Sequence, residues 1–199
     1  MEGKSRLSIL CLGDSYTVGE GVELSQSWPY LLRSELMKRG MESDLKIIAK
    51  TGWTTDELLT AIEKENLKRK FDYVFLLIGV NNQYRKYSLN NYENDFLILA
   101  EKAIHFSVSA DHVIVLSIPD WGFTPYAEGK DRSLISQEID AYNSINKNIS
   151  IQKEMNYIYI TDISRKTFED PQLLAEDNLH PSGKMYIEWV KKILERIKL

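Results

Sequence analysis

Ser15 lies in the stretch LGDSYTVGEG, residues 12–21, and a serine hydroxyl becomes a nucleophile only where a base takes its proton and a third group fixes that base's tautomer. The chain offers three histidines as candidate bases. His105 falls inside a helical stretch and His112 at the start of a strand, the wrong end of a sheet, which leaves His180. Pro181 follows it, so its backbone is biased away from helical geometry and the ring is presented from a loop. Asp177 lies three residues earlier, close enough for one tight turn to bring its carboxylate to the imidazole.

Acyl transfer also needs donors aimed at the oxyanion that develops in the transition state. Gly52 and Asn81 stand where apolar runs end. A glycine presents its backbone N–H with no side chain in the way, and an asparagine amide donates without adding charge. Ser15's own N–H would be a third donor. Other chemistries find less support. HExxH and Cys/His clusters are missing, so no metal site is expected; the segment 13–20 has no GK[ST] and so fails as a P-loop, and GxSxG and GxGxxG are missing from the chain, which weighs against an α/β-hydrolase elbow and a dinucleotide site.

These residues need a scaffold that delivers them to one rim. Five short apolar runs, 7–12, 45–49, 73–79, 112–118 and 157–161, read as buried strands. The segments 28–39, 55–68, 92–106 and 135–154 carry apolar positions at helical spacing. Such alternation predicts a parallel sheet with helices on both faces. A closing amphipathic helix is predicted over 181–199, with Tyr186, Trp189, Val190, Ile193 and Ile197 on one side. Ligands of open parallel sheets bind at the carboxyl ends of the strands, beside a switch in strand order. Asp14 and Ser15 follow the first run, Gly52 and Trp53 the second, Gly79 to Gln83 the third and Trp121 the fourth, while Asp177 and His180 precede the last helix. All of them can converge on that rim. Asp14 reads as a turn or helix-cap residue, and Gly13 as the small residue that permits the turn.

Taken together, GDSY at 13–16, the glycine at 52, GVNN at 79–82 and DNLHP at 177–181 resemble the four blocks of the SGNH, or GDSL, hydrolase family, in the family's order. The resemblance implies a three-layer α/β/α flavodoxin-like fold with a five-stranded parallel sheet. It implies Ser15 as nucleophile, His180 as base, Asp177 orienting His180, and an oxyanion hole of Ser15, Gly52 and Asn81. No cofactor is implied. One position departs from the pattern: the third block usually reads GxND, and Asn82 stands where the acid would be. With Asn81 retained, the departure is expected to alter a loop contact rather than the chemistry.

The expected activity is that of a serine esterase hydrolysing carboxylic esters through an acyl-enzyme intermediate, with short acyl groups and acetylated carbohydrate as the favoured substrates. Trp53, Tyr84, Trp121 and Phe123 are candidate substrate-binding aromatics, and Trp121 and Phe123 fall in the longest irregular stretch, 119–132. A lysophospholipase or acyl-thioesterase of the same family is an alternative. So is a noncatalytic flavodoxin-like module, either a flavin binder using the 15–17 loop or a carbohydrate binder using the aromatic rim. The flavin reading leaves Asn81 and the Asp177/His180 pair unexplained.

The 199 residues fit one domain, 1–199, with one core. Twenty-five Lys and Arg against 29 Asp and Glu, spread along the chain, speak against nucleic acid as a partner and leave a small-molecule ester as the expected one. No run approaches the roughly 18 apolar residues of a membrane span. The 7–12 run is also too short for the apolar region of a signal peptide. With Cys11 as the lone cysteine, read as a buried hydrophobe, no internal disulfide can form, and a cytoplasmic location is expected.

Overall fold

A computed structural model describes residues 6–197. The five apolar runs form the strands β1 (Leu7–Gly13), β2 (Ser43–Ala49), β3 (Tyr73–Leu77), β4 (Val113–Leu116) and β5 (Asn156–Ile158). They make one parallel sheet in the order β2-β1-β3-β4-β5. This is the flavodoxin-like order, with the switch between β1 and β3. The central strands are apolar along their whole length because both faces are covered; every residue of β3 and β4 is buried.

The helices are α1 (Ser15–Val18), α2 (Trp28–Lys38), α3 (Thr55–Glu65), α4 (Val80–Tyr84), α5 (Leu89–Phe106), α6 (Arg132–Gln152), α7 (Thr161–Ser164) and α8 (Gly183–Leu194). The chain steps from β1 to β2 in one direction and from β3 to β5 in the other. Right-handed crossovers therefore put α2 on the face opposite α3, α5 and α6. The packing agrees: α2 lies against α8, while α5 lies against both α3 and α6. The result is the three-layer α/β/α architecture.

Element ends differ from the predicted ones for local reasons. α3 stops at Glu65 because Asn66 takes a left-handed conformation, φ +45°, which closes the helix. α5 and α6 begin three residues earlier than predicted, where the Ser88 and Asp131 side chains accept backbone N–H groups of Asn91 and Leu134. α8 likewise begins at its Ser182 cap rather than at 181 and ends at Leu194; positions 198 and 199 of the predicted helix lie outside the described residues. β5 is only Asn156–Ile158, since Thr161 already opens α7.

The 119–132 stretch is not irregular. It holds two 3-10 turns, Trp121–Phe123 and Pro125–Ala127. Buried Asp120 caps the first by accepting the Gly122 N–H at 2.9 Å. Arg132 then ties it down by donating to the carbonyls of Gly122 and Thr124 at 2.5 and 2.8 Å. Among the described residues, no helix is long and apolar enough to cross a membrane, and no group of His, Cys, Asp and Glu is placed to hold a metal ion.

Candidate active site

β1 ends at Gly13 and the chain enters α1 at once, so Ser15 stands on the rim of the sheet at a helix start. Asp14 is the N-cap of that helix, its Oδ1 accepting the Tyr16 N–H at 3.0 Å. Gly13 is required by close approach rather than by a turn: a Cβ there would come within 2.2 Å of Thr17 Oγ1 and 2.5 Å of the Leu77 carbonyl. Asp14 is fully buried, and that burial pushes its carboxyl up to about 7, against the pull of backbone N–H groups of Tyr16, Asp14 and Gly79.

His180 reaches Ser15 from the loop before α8. Its Nε2 lies 3.0 Å from Ser15 Oγ and its Nδ1 2.6 Å from Asp177 Oδ2. The other carboxylate oxygen of Asp177 accepts the N–H groups of Leu179 (3.0 Å) and His180 (2.9 Å), so the turn and the side chain fix each other. Partial burial works against the Asp177 charge, but the His180 ring and the two N–H groups outweigh it and hold the carboxyl below its usual value. The ring is further steadied by Tyr16, which meets it edge-on at 5.8 Å between centroids. Tyr16 is in turn fixed by the Tyr186 hydroxyl, which donates to its carbonyl at 3.1 Å.

A cavity of about 190 Å³ opens over Ser15 and His180 and includes Gly52 and Asn81 in its wall. Gly52 is the third residue of a turn closed by the Trp53 N–H on the Lys50 carbonyl (3.2 Å), and its φ of +86° is the value that a type II turn demands there. Asn81 lies in α4 and donates one amide proton to the Trp53 carbonyl at 2.9 Å, which leaves the other proton available. Asn82, where the acid was expected, is fully buried: its Oδ1 accepts the Thr55 N–H at 3.1 Å and its Nδ2 donates to Thr55 Oγ1 at 2.8 Å.

Of the candidate aromatics, Tyr84 and Trp121 line the cavity and Trp53 and Phe123 do not. Trp53 packs against the edge of the core and contributes its backbone carbonyl instead. Phe123 follows the 3-10 turn away from the cavity, to Phe168 (5.6 Å between centroids) and the Arg165 guanidinium (6.0 Å). Tyr126 takes the vacated place in the wall, its hydroxyl 3.3 Å from that of Tyr84, and Lys130 Nζ stands 5.9 Å over the Tyr84 ring. Tyr16, Thr51, Val80, Tyr126 and Leu179 are the wall residues absent from the predicted set. Tyr16 carries a signal, its place directly after the serine in GDSY; Tyr126 carries none beyond lying in an aromatic-rich loop.

A doubly wound sheet with a serine, an imidazole and a carboxylate in one hydrogen-bonded line at its switch point is the architecture of a serine hydrolase. The chain belongs to the GDSL-like Lipase/Acylhydrolase family, which it matches over residues 11–186, and is by that class an ester hydrolase. Among solved structures it is similar to Axe2, an acetylxylan esterase from Geobacillus stearothermophilus, with a TM-score of 0.78 at 19% identity over 100% of this chain and 97% of that one. TesA gives a TM-score of 0.75 at 18% identity over 96% and 98% of the two chains. The psychrotrophic esterase EstA from Pseudoalteromonas sp. gives 0.72 at 17% identity over 95% of each. At these identities the likeness is one of fold. No curated protein matches the chain in sequence.

Proposed function

We propose that the chain is a single-domain serine esterase for short-acyl esters of polar alcohols, and that Ser15, His180 and Asp177 carry the reaction. Ser15 Oγ attacks the ester carbonyl while His180 Nε2 takes its proton, and the oxyanion accepts hydrogen bonds from the N–H groups of Ser15 and Gly52 and the free Asn81 amide proton. His180 then passes that proton to the departing alcohol. A water, deprotonated by His180, attacks the acyl-enzyme and returns Ser15 to its free form. Asp177 keeps the Nδ1 proton in place throughout, so that Nε2 is the accepting nitrogen.

The observation that carries this reading is the Ser15–His180–Asp177 line, 3.0 and 2.6 Å, opening into so small a cavity. At about 190 Å³ it is below the roughly 300–1,000 Å³ typical of sites for drug-sized ligands, which suits a short acyl group. The half-exposed rings of Tyr84 and Tyr126 beside Lys130 offer flat faces and a cation to a polar alcohol such as a sugar. The test is kcat/KM across p-nitrophenyl acetate, butyrate, octanoate and palmitate, run beside acetylated xylose and glucosamine derivatives, for the wild type and Ser15→Ala. Acetyl or butyryl should give the highest value, and Ser15→Ala should lose nearly all turnover while keeping its circular dichroism spectrum. A steady rise to octanoyl or beyond would point instead to a long-chain lipase or thioesterase.

A further inference from the structure

We infer that Arg85 is a positioning residue for the oxyanion site: its guanidinium lashes the Gly52 turn to the end of α4, so that the Gly52 N–H and the Asn81 amide keep one mutual geometry. The inference rests on the reading of the site as an esterase centre. It begins from the sheet order. Gly52 follows β2 and Asn81 follows β3, and these strands are not neighbours, because β1 runs between them. No ladder hydrogen bond therefore sets the distance between the two donors; contacts between the loops beyond the strands must do it.

Those contacts form three stitches. The Asn81 amide donates to the Trp53 carbonyl, Asn82 pairs doubly with Thr55, and Arg85 Nη2 donates to the Gly52 carbonyl at 2.7 Å. The third acts on the residue that matters most, since a glycine held at φ +86° has more conformational freedom than any other residue and is the least able to hold itself. Arg85 is itself held. Its Nη1 donates to Glu57 Oε2 at 3.2 Å, and Glu57 is anchored at the head of α3 by accepting the Thr54 N–H at 3.0 Å. The Thr54 N–H, with help from the Arg85 charge, keeps the Glu57 carboxyl below its ordinary value, so it stays charged and able to hold Arg85. A planar fork that takes a carbonyl on one nitrogen and a carboxylate on the other is a task for arginine that a lysine ammonium cannot copy.

Arg85 suits a clean test because its side chain is 45% exposed, so its removal leaves no buried hole. Arg85→Ala, Arg85→Lys and wild type are compared by kcat and KM on p-nitrophenyl acetate, with thermal unfolding as the check on folding. A misplaced donor weakens the transition state more than the bound ester, so Arg85→Ala is expected to lower kcat about 10-fold or more while KM moves less than about 3-fold. Arg85→Lys should recover only part of the loss. Guanidinium ion at millimolar, non-denaturing concentration should raise kcat of Arg85→Ala and leave wild type and Asn81→Ala unchanged, which a merely structural role would not produce. A folded Arg85→Ala with wild-type kcat, or one changed only in KM, would overturn the inference. A separate arm treats the wild type with an alkyl p-nitrophenyl phosphonate and locates the adduct by mass: failure to label Ser15 refutes the esterase reading itself, whereas labelling together with an indifferent Arg85 refutes only the positioning role.

Discussion

The Trp121 indole N–H donates to Gln83 Oε1 at 2.8 Å, and Gln83 Nε2 donates onward to Glu138 at 2.6 Å. One buried amide thus joins the 3-10 turn that carries Trp121 to α4, which carries Asn81, and to α6. The cavity wall and the helix that carries Asn81 are tied together by the same side chain. Tyr84 and Tyr126 both meet Trp121 edge-on, at 5.5 and 6.1 Å between centroids, so the aromatic rim takes its position from that indole.

Trp121→Phe should therefore cost more than its change in area. It leaves Gln83 Oε1 without a donor in a residue only 5% exposed, a loss of about 1–3 kcal/mol in unfolding free energy. Urea denaturation measures it. Adding Gln83→Leu, which removes the stranded acceptor, should recover part of the loss; a double variant whose cost is the plain sum of the two singles would count against the coupling.

Asp177→Asn is expected to be at least as damaging to kcat as Asp177→Ala. The Leu179 and His180 N–H groups converge on Oδ1 and would claim the oxygen of the new amide, which turns its NH₂ toward His180 Nδ1. The imidazole would then carry its proton on Nε2, facing Ser15, and could not accept another. The same change in a serine protease triad costs about 10⁴-fold for this reason. Ala imposes no tautomer. Steady-state kinetics on a short-chain ester compare the two, and a much milder loss in the Asn variant would show that the amide sits the other way round.

How far the fold and the site are legible in the sequence follows from how each feature marks the chain. β1, β3 and β4 are legible because burial on both faces makes them unbroken apolar runs, Ser15 and Asn81 because reactive side chains at the ends of such runs are conspicuous, and His180 because it alone of three histidines falls in a loop ahead of a proline. Gln83, Arg85 and Asp95 leave no such mark. Their partners lie 38, 33 and 40 residues away, and a polar pair across that distance has no period and no motif. The same holds for Trp53 and Phe123, where being aromatic and near the rim says nothing of which way the ring turns. The caps at Ser88, Asp131 and Ser182 could have been located, since each is a capping residue type just ahead of a helical pattern.

Asp14 makes stability fall as pH rises. Its carboxyl is pushed from 3.8 to about 7 in the folded protein, so between these values the folded state binds more protons than the unfolded one. Its stabilising contribution is complete below about pH 4 and lost as pH passes 7. Asp14→Asn keeps an oxygen for the Tyr16 N–H and removes the charge, so the variant should gain on the wild type steadily from pH 4 to 8. Urea unfolding at intervals across that range reads the difference; two curves that stay parallel would mean that Asp14 does not titrate in this window.

Asn82 is linked through Thr55 to the distant Asp95. Thr55 Oγ1 accepts from Asn82 Nδ2 and passes its own proton to Asp95 Oδ2, both at 2.8 Å, so a chain of donors runs Asn82, Thr55, Asp95 in one direction. Asn82 and Thr55 are fully buried, which leaves no water to repair a break. In Asn82→Asp the Thr55 N–H keeps its acceptor, but the amide donor is gone and one hydroxyl proton faces two carboxylates. One carboxylate must go without that proton, either the buried acid at 82 or the partly exposed Asp95, at a cost of about 1 kcal/mol or more. Asp95→Asn should cost less alone, since an amide oxygen can still accept the Thr55 proton. In Asn82→Asp/Asp95→Asn the chain can run backwards: the amide at 95 donates to Thr55 Oγ1, and Thr55 turns its proton to the acid at 82. The double variant is therefore expected to be more stable than Asn82→Asp alone, with a coupling of about 1 kcal/mol or more in a double-mutant cycle by urea unfolding. Additive losses would show that Thr55 does not relay between the two positions.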